Sequence, residues 1–96
     1  MPAFAWTARF GADFDALSAA AQVAFLAAVA QFVSDLTSGT LRPGLRVKGV
    51  QGAAGIFEMT WAAGGRATFE FGPEVISGES HIVWRRVGTH DVFRAP

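Results

Sequence analysis

The chain has 96 residues, eight basic and eight acidic, for a formal net charge of zero at pH 7. That length makes one domain, residues 1–96, and 51% apolar content with only 17% charge excludes a disordered chain. The absence of cysteine rules out disulfides, thiolate metal sites and cysteine nucleophiles, and the zero balance argues against a uniformly basic nucleic-acid binder. Its N-terminus shows no basic region ahead of an apolar core, so no signal peptide is expected, and a cytoplasmic location fits.

Ala3 to Arg9 is a short strand candidate with Phe4 and Trp6 on one side. Asp13 to Leu17 forms a helical turn or short helix, with Asp13 as N-cap. The main helix runs from Ser18 to about Thr37. Phe25, Val29, Phe32 and Leu36 repeat at helical spacing and form its inner stripe, while Ala24, Ala28, Gln31 and Asp35 fall on the opposite face. Gln22 and Gln31 interrupt the stretch, which therefore suits a soluble helix better than a membrane span. Gly39 is the expected C-terminal cap, and Pro43 prevents resumption.

From Leu45 the period becomes two. Leu45-Arg46-Val47-Lys48 is a strand placing Arg46 and Lys48 on one face. Gly49 to Gly55 connects it to Ile56–Trp61, Ala62 to Gly65 makes a hairpin turn, and Arg66 to Gly72 returns. Phe57, Met59, Trp61, Ala67, Phe69 and Phe71 point inward. Alternation sends Glu58, Thr60, Thr68 and Glu70 to the other face. A register pairing Glu58 with Thr68 avoids the repulsion of Glu58 against Glu70. His81 to Val87 is the last long strand. The order β-α-α-β-β-β gives an α+β fold, a small antiparallel sheet with two helices from the N-terminal half packed on one face.

The densest chemistry lies in the closing segment, Trp84-Arg85-Arg86-Val87-Gly88-Thr89-His90-Asp91-Val92-Phe93. An imidazole can move a proton near neutrality and guanidiniums can hold a phosphate. His90 is therefore the candidate acid or base; the alternative is a polar turn ending the sheet. His81, after a loop, reads as solvated surface. Arg85 and Arg86 alternate, one toward solvent or substrate and the other toward an acidic group near the helices. Arg66 exits the hairpin on the face that carries Thr60. Glu58 is either a general base or a salt-bridge partner. The two histidines match no metal-site spacing, and the glycine clusters lack the strand-to-helix context of a phosphate loop. No metal or cofactor is expected.

The element order, the segments Leu45–Lys48 and Gly55–Trp61, the hairpin Gly64–Phe69 and the closing Arg85–Phe93 together resemble the RelE/ParE superfamily of type II toxin–antitoxin toxins. The resemblance covers the chain from about Phe14 onward. It implies a cytoplasmic bacterial toxin neutralised by a cognate antitoxin protein, whose apolar helical segment would cover the helix and sheet-edge surface. In the RelE branch the implied activity is metal-independent endoribonuclease cleavage of mRNA, generally on the ribosome, halting translation. His90, Arg66, Arg86 and Glu58 would then be catalytic. Arg46, Lys48, Arg85, Thr60 and Phe93 would bind RNA. Glu58 and Thr60 stand where some members carry lysine or histidine. In the ParE branch the implied target is DNA gyrase and no nuclease site is needed; an inactive binding relative is the further alternative.

Overall fold

The structure is a computed structural model that describes residues 2–96. Two helices cover one face of a five-stranded mixed sheet. Strand β1 spans Ala3–Trp6, helix α1 Ala8–Ala16 and helix α2 Ala19–Ser38; β2 is Lys48–Gly49, β3 Ile56–Ala62, β4 Gly65–Phe71 and β5 His81–Gly88. Short 3-10 turns occupy Pro43–Leu45 and His90–Arg94. The strand order is β1-β5-β4-β3-β2. The β2–β3–β4–β5 meander is antiparallel, but β1 joins β5 in parallel, pairing Ala3 with His81 and Trp6 with Trp84. The all-antiparallel expectation is corrected on that point. A first strand and a last strand cannot be joined by a hairpin, and the helices supply the crossover that a parallel pair requires.

Thr7, not Asp13, caps α1: its hydroxyl accepts from Phe10 N at 3.1 Å. Ser18 caps α2 by accepting from Ala21 N, and Gly39 closes it in the left-handed region at φ 85°, where a side chain would be strained. By length and composition α2 is apolar enough to cross a membrane. Here Phe25, Ala28, Phe32 and Asp35 are buried, and Phe25, Phe32 and Asp35 sit against the sheet or the chain that follows it. The buried stripe is thus rotated from the expected one, with Ala28 and Asp35 inside and Val29 and Leu36 at its margin.

Asp35 is inside because Arg42 satisfies it. The carboxylate accepts from Arg42 backbone N, Nε and Nη2, each at 2.9 Å. This clamp reverses the chain after Gly39. The expected Leu45–Lys48 strand does not form: Leu45 is buried in the 3-10 turn begun by Pro43, and Arg46 takes a left-handed φ of 49°. Only Lys48 and Gly49 pair with β3.

Trp84 joins the layers. Its ring lies 5.4 Å from Phe25 and 5.9 Å from Phe32 on α2, 6.2 Å from Phe10 on α1 and 5.3 Å from Phe69 on β4. The edge-on packing of Phe25, Phe32 and Phe69 on Trp84 adds to the large apolar area each ring removes from water. Met59, Ala67, Ile82 and Val87 complete the buried layer, while Phe71, expected inside, is half exposed at the end of β4.

In the hairpin, a Cβ on Gly65 would lie 2.5 Å from the Trp61 ring, whose Nε1 donates to Arg66 O at 3.0 Å. Gly65→Val should therefore lower stability by about 1–3 kcal/mol, the range for overpacking a filled space, as read by urea unfolding. A second prediction concerns acid. Hydrogen bonds from the Arg42 guanidinium, with its backbone N–H, hold the Asp35 carboxyl below the ordinary value near 3.8. A lowered folded-state value contributes stability that is present above the unfolded value and is lost as pH falls through the folded one. Stability should fall below about pH 4, and Asp35→Asn should flatten that limb of a Tm-against-pH curve.

Candidate functional site on the sheet face away from the helices

Register defines this face. Glu58 pairs with Thr68, as preferred from sequence, and Thr68 with Arg86; Lys48 pairs with Glu58 at the edge. Paired residues point the same way, so Lys48, Glu58, Thr68 and Arg86 form one row. The next row is Thr60, Arg66 and Gly88.

Strict alternation along β5 would send Arg86 into the core with Trp84. A bulge prevents this. Thr68 pairs with Arg86 and Phe69 with Trp84, which leaves Arg85 unpaired. Side-chain parity resets there, so Ile82, Trp84 and Val87 are all buried and both arginines escape the core. Arg86 reaches α1, donating from Nε to Asp13 Oδ2 at 2.6 Å and from Nη2 to Oδ1 at 3.3 Å, and Asp13 Oδ2 also accepts from Val87 N at 3.2 Å. Arg85 Nη1 lies 3.1 Å from Glu70 Oε1.

The face is not bare. Its last residues fold back over it: Val92 is buried against Gly88, Thr68 Oγ1 donates to Pro96 O at 3.1 Å, Arg85 Nε donates to Pro96 O at 3.0 Å and Arg86 Nη1 donates to Ala95 O at 3.1 Å. Thr68, expected to be open, is fully buried as a result. The 3-10 turn presents His90 to solvent with its ring edge-on to Phe93, centroids 5.4 Å apart. Because Arg66 pairs with Gly88, its Cα lies within about 12 Å of that of His90: a cross-strand step of about 5 Å and two residues of chain.

The structure thus brings Arg66, Thr60 and His90 to one end of the face, with Phe93 beside the imidazole. Glu58 and Arg86 lie one row away, each engaged: Glu58 with Lys48 at 3.9 Å and Arg86 with Asp13. Arg46 is exposed at the left-handed turn before β2, outside these rows. Of Lys48, Arg66, Arg85, Arg86 and Arg94, only Arg66 lacks a carboxylate partner among the described residues. Its Nη1 donates to its neighbour, Gly65 O, at 2.9 Å. His81 is tied rather than merely solvated, its Nδ1 lying 2.8 Å from Pro73 O.

The expectation that one arginine meets an acidic group near the helices holds for Arg86, but that the acid is Asp13 could not be read from the sequence. The two are 73 residues apart, and no local pattern couples them. Asp13→Asn should cost about 2–3 kcal/mol, because the Arg86 guanidinium, only 16% exposed, would lose its charged partner. Thermal unfolding of the variant beside Asp13→Asn/Arg86→Met checks this, the double variant being the more stable of the two.

No protein-family model and no curated protein matches the sequence. Solved structures do match in shape. YafQ from E. coli strain BL21(DE3) superposes over 96% of this chain and 97% of its own, with TM-score 0.63 and 12% identity. A YoeB/ParE toxin from Agrobacterium tumefaciens covers 92% and 98%, with TM-score 0.66 and 10% identity. A chain of the RelB–RelE antitoxin–toxin complex from Methanococcus jannaschii covers 94% of each, with TM-score 0.59 and 14% identity. Across nearly all its length, this chain has the fold of the RelE, YafQ and YoeB/ParE toxins.

Proposed function

We propose that the protein is a RelE-type toxin of a type II toxin–antitoxin pair, an endoribonuclease acting on mRNA in the cytoplasm and neutralised by an antitoxin. The observation that carries the reading is an Arg66 without a carboxylate partner among the described residues, whose strand partner Gly88 lies two residues from the exposed His90. Cleavage of this kind needs a base for the ribose 2′-hydroxyl, a cation against the charge developing on the phosphate and an acid for the leaving 5′-oxygen. Arg66 suits the second task. His90 suits a proton transfer at either oxygen, and the edge of Phe93 limits the arc its ring can sweep. Phe93 also offers an aromatic surface to a base. Glu58, Arg85, Arg86, Lys48 and Thr60 lie in reach of an RNA strand crossing the same face, and Arg46 stands outside it.

Antitoxin binding has a surface to use. A groove of about 470 Å³ on the helical side is lined by Phe4, Trp6, Phe14, Leu26 and Val29 with deeper core residues. Trp6 is 66% exposed there and Leu26 55%. Side chains at i, i+3, i+4 spacing on a partner helix fit such a groove. YafQ is seen with DinJ, and RelE with RelB, in solved complexes.

A second reading has its own support. Arg86 and Glu58 are both held in ion pairs, which suits a gyrase-binding or inactive relative that needs no catalytic row. Induced expression separates the readings. The intact chain should arrest growth with fragmented mRNA. His90→Gln should slow cleavage about 10²–10⁴-fold, the worth of a positioned acid or base, and Arg66→Ala about 10²–10³-fold. Arrest with intact mRNA would point to gyrase, and no arrest to the inactive relative.

A further inference from the structure

A cavity of about 110 Å³ opens between the start of α1, β5 and the residues after Arg94, lined by Thr7, Arg9, Arg85, Arg86, Ala95 and Pro96. Three arginines line so small a space, and like charges gathered there repel one another unless acceptors sit between them. Four do. Glu70 takes Arg85, Asp13 takes Arg86, and the main-chain oxygens of Pro96 and Ala95 accept from Arg85 Nε and Arg86 Nη1. Arg9 is left over: its side chain has no ion pair or hydrogen bond among the described residues. It also stands in the first turn of α1, where the helix dipole disfavours a cation and where no acidic residue offsets it. Thr7 cannot help, because its hydroxyl already accepts from Phe10 N and donates to Arg85 O.

We propose that this cavity is a phosphate subsite, and that it receives a backbone phosphate of the RNA strand one step along from the phosphate at Arg66. The inference rests on the ribonuclease reading for its ligand, but its evidence is separate. The space equals about four water volumes, enough for a phosphate group. The main-chain oxygens of Ala95 and Pro96 mark where phosphate oxygens would lie, and an anionic phosphate oxygen bonds the Arg86 guanidinium more strongly than the neutral Ala95 carbonyl does. A bound strand therefore displaces the residues after Arg94 and takes over their donors. Its charge is matched by Arg9, the one arginine lining the cavity with no carboxylate partner among the described residues. The position favours a strand over a free ion. Arg86 lies two residues before Gly88, the partner of Arg66. That is a rise of about 7 Å along a strand, a span on the scale of one nucleotide of extended backbone.

The test uses the full chain and a fluorescent single-stranded oligonucleotide with 2′-O-methyl sugars, which binds without being cut. Anisotropy titrations at several salt concentrations should show Arg9→Gln weakening binding about three- to tenfold. The slope of log K against log salt should fall by about 0.7, one phosphate contact on a single strand. Cleavage is assayed separately with the parent chain on an unmodified RNA, so a failed cleavage assay would condemn the nuclease reading and leave this subsite standing. Unfolding curves of Arg9→Gln should show no loss of stability, since Arg9 supports no contact and its charge opposes the helix dipole. Equal affinity and slope in the parent and Arg9→Gln, or no oligonucleotide binding, would overturn the proposal. So would Arg9-dependent binding of pyrophosphate alone, which would make the ligand a free phosphate, or of an acidic peptide alone, which would make it a protein carboxylate.

Discussion

One irregularity in β5 lets a single strand serve both the core and the open face. Trp84 must be buried, because four aromatic rings close on it. Arg86 must not be, because an unpaired guanidinium in an apolar layer is costly. Regular alternation gives both residues the same side. Inserting Arg85 as an unpaired residue opposite Thr68 resolves the conflict. The local loss of one ladder position is offset by Asp13, which accepts from Arg86 twice and from the backbone of Val87. One carboxylate therefore pins the bulge, the end of β5 and helix α1 together.

That arrangement explains how a chain of zero net charge can still present cations without carboxylate partners on its candidate site. Charge is balanced locally, pair by pair: Lys48 with Glu58, Arg85 with Glu70, Arg86 with Asp13, Arg42 with Asp35. Among the described residues Arg46 is also left without a carboxylate, outside the rows of the site; the other two unmatched cations are set apart by position. Arg66 stands at the hairpin exit beside the row that leads to His90, and Arg9 stands at the start of α1. Exposed pairs contribute little to stability. Their larger effect here is to remove competing carboxylates from the reach of those two arginines.

Much of this was legible in the sequence, and the failures have physical causes. Ser18 and Gly39 bound α2 as expected because caps are local chemistry. The Glu58–Thr68 register followed from avoiding two facing carboxylates. The inner stripe of α2 is rotated from the expected one because a lone carboxylate favours the outward face; only Arg42, seven residues on and beyond a chain reversal, makes Asp35 an inner residue. Arg46 broke the expected strand through a left-handed turn that Pro43 and Gly44 set up. The bulge did leave a trace. Trp84 and Val87 are three apart with two arginines between them, a spacing that no regular two-sided strand gives to two buried residues. The parallel β1, the Asp13 partner and the covering residues after Arg94 left none, because each depends on contacts across the whole chain.

The apolar groove and the candidate site lie on opposite sides of the sheet. Phe4 and Trp6 pair with Ile82 and Trp84, which face the helices, whereas Arg66 and Arg86 belong to the rows that face away. A segment seated in the groove therefore does not touch His90. To silence the site it must continue around an edge of the sheet or act through an element common to both sides. Helix α1 is such an element: Phe10 and Phe14 line the groove, while Asp13, on the same short helix, holds Arg86 and the backbone of Val87. The edges differ in what they offer a wrapping chain. β1 is an outer strand with unpaired backbone groups beside the groove, and β2 is only two residues long. Strand addition is thus better provided for at β1, the edge from which a chain also reaches Arg9 and the cavity beside it.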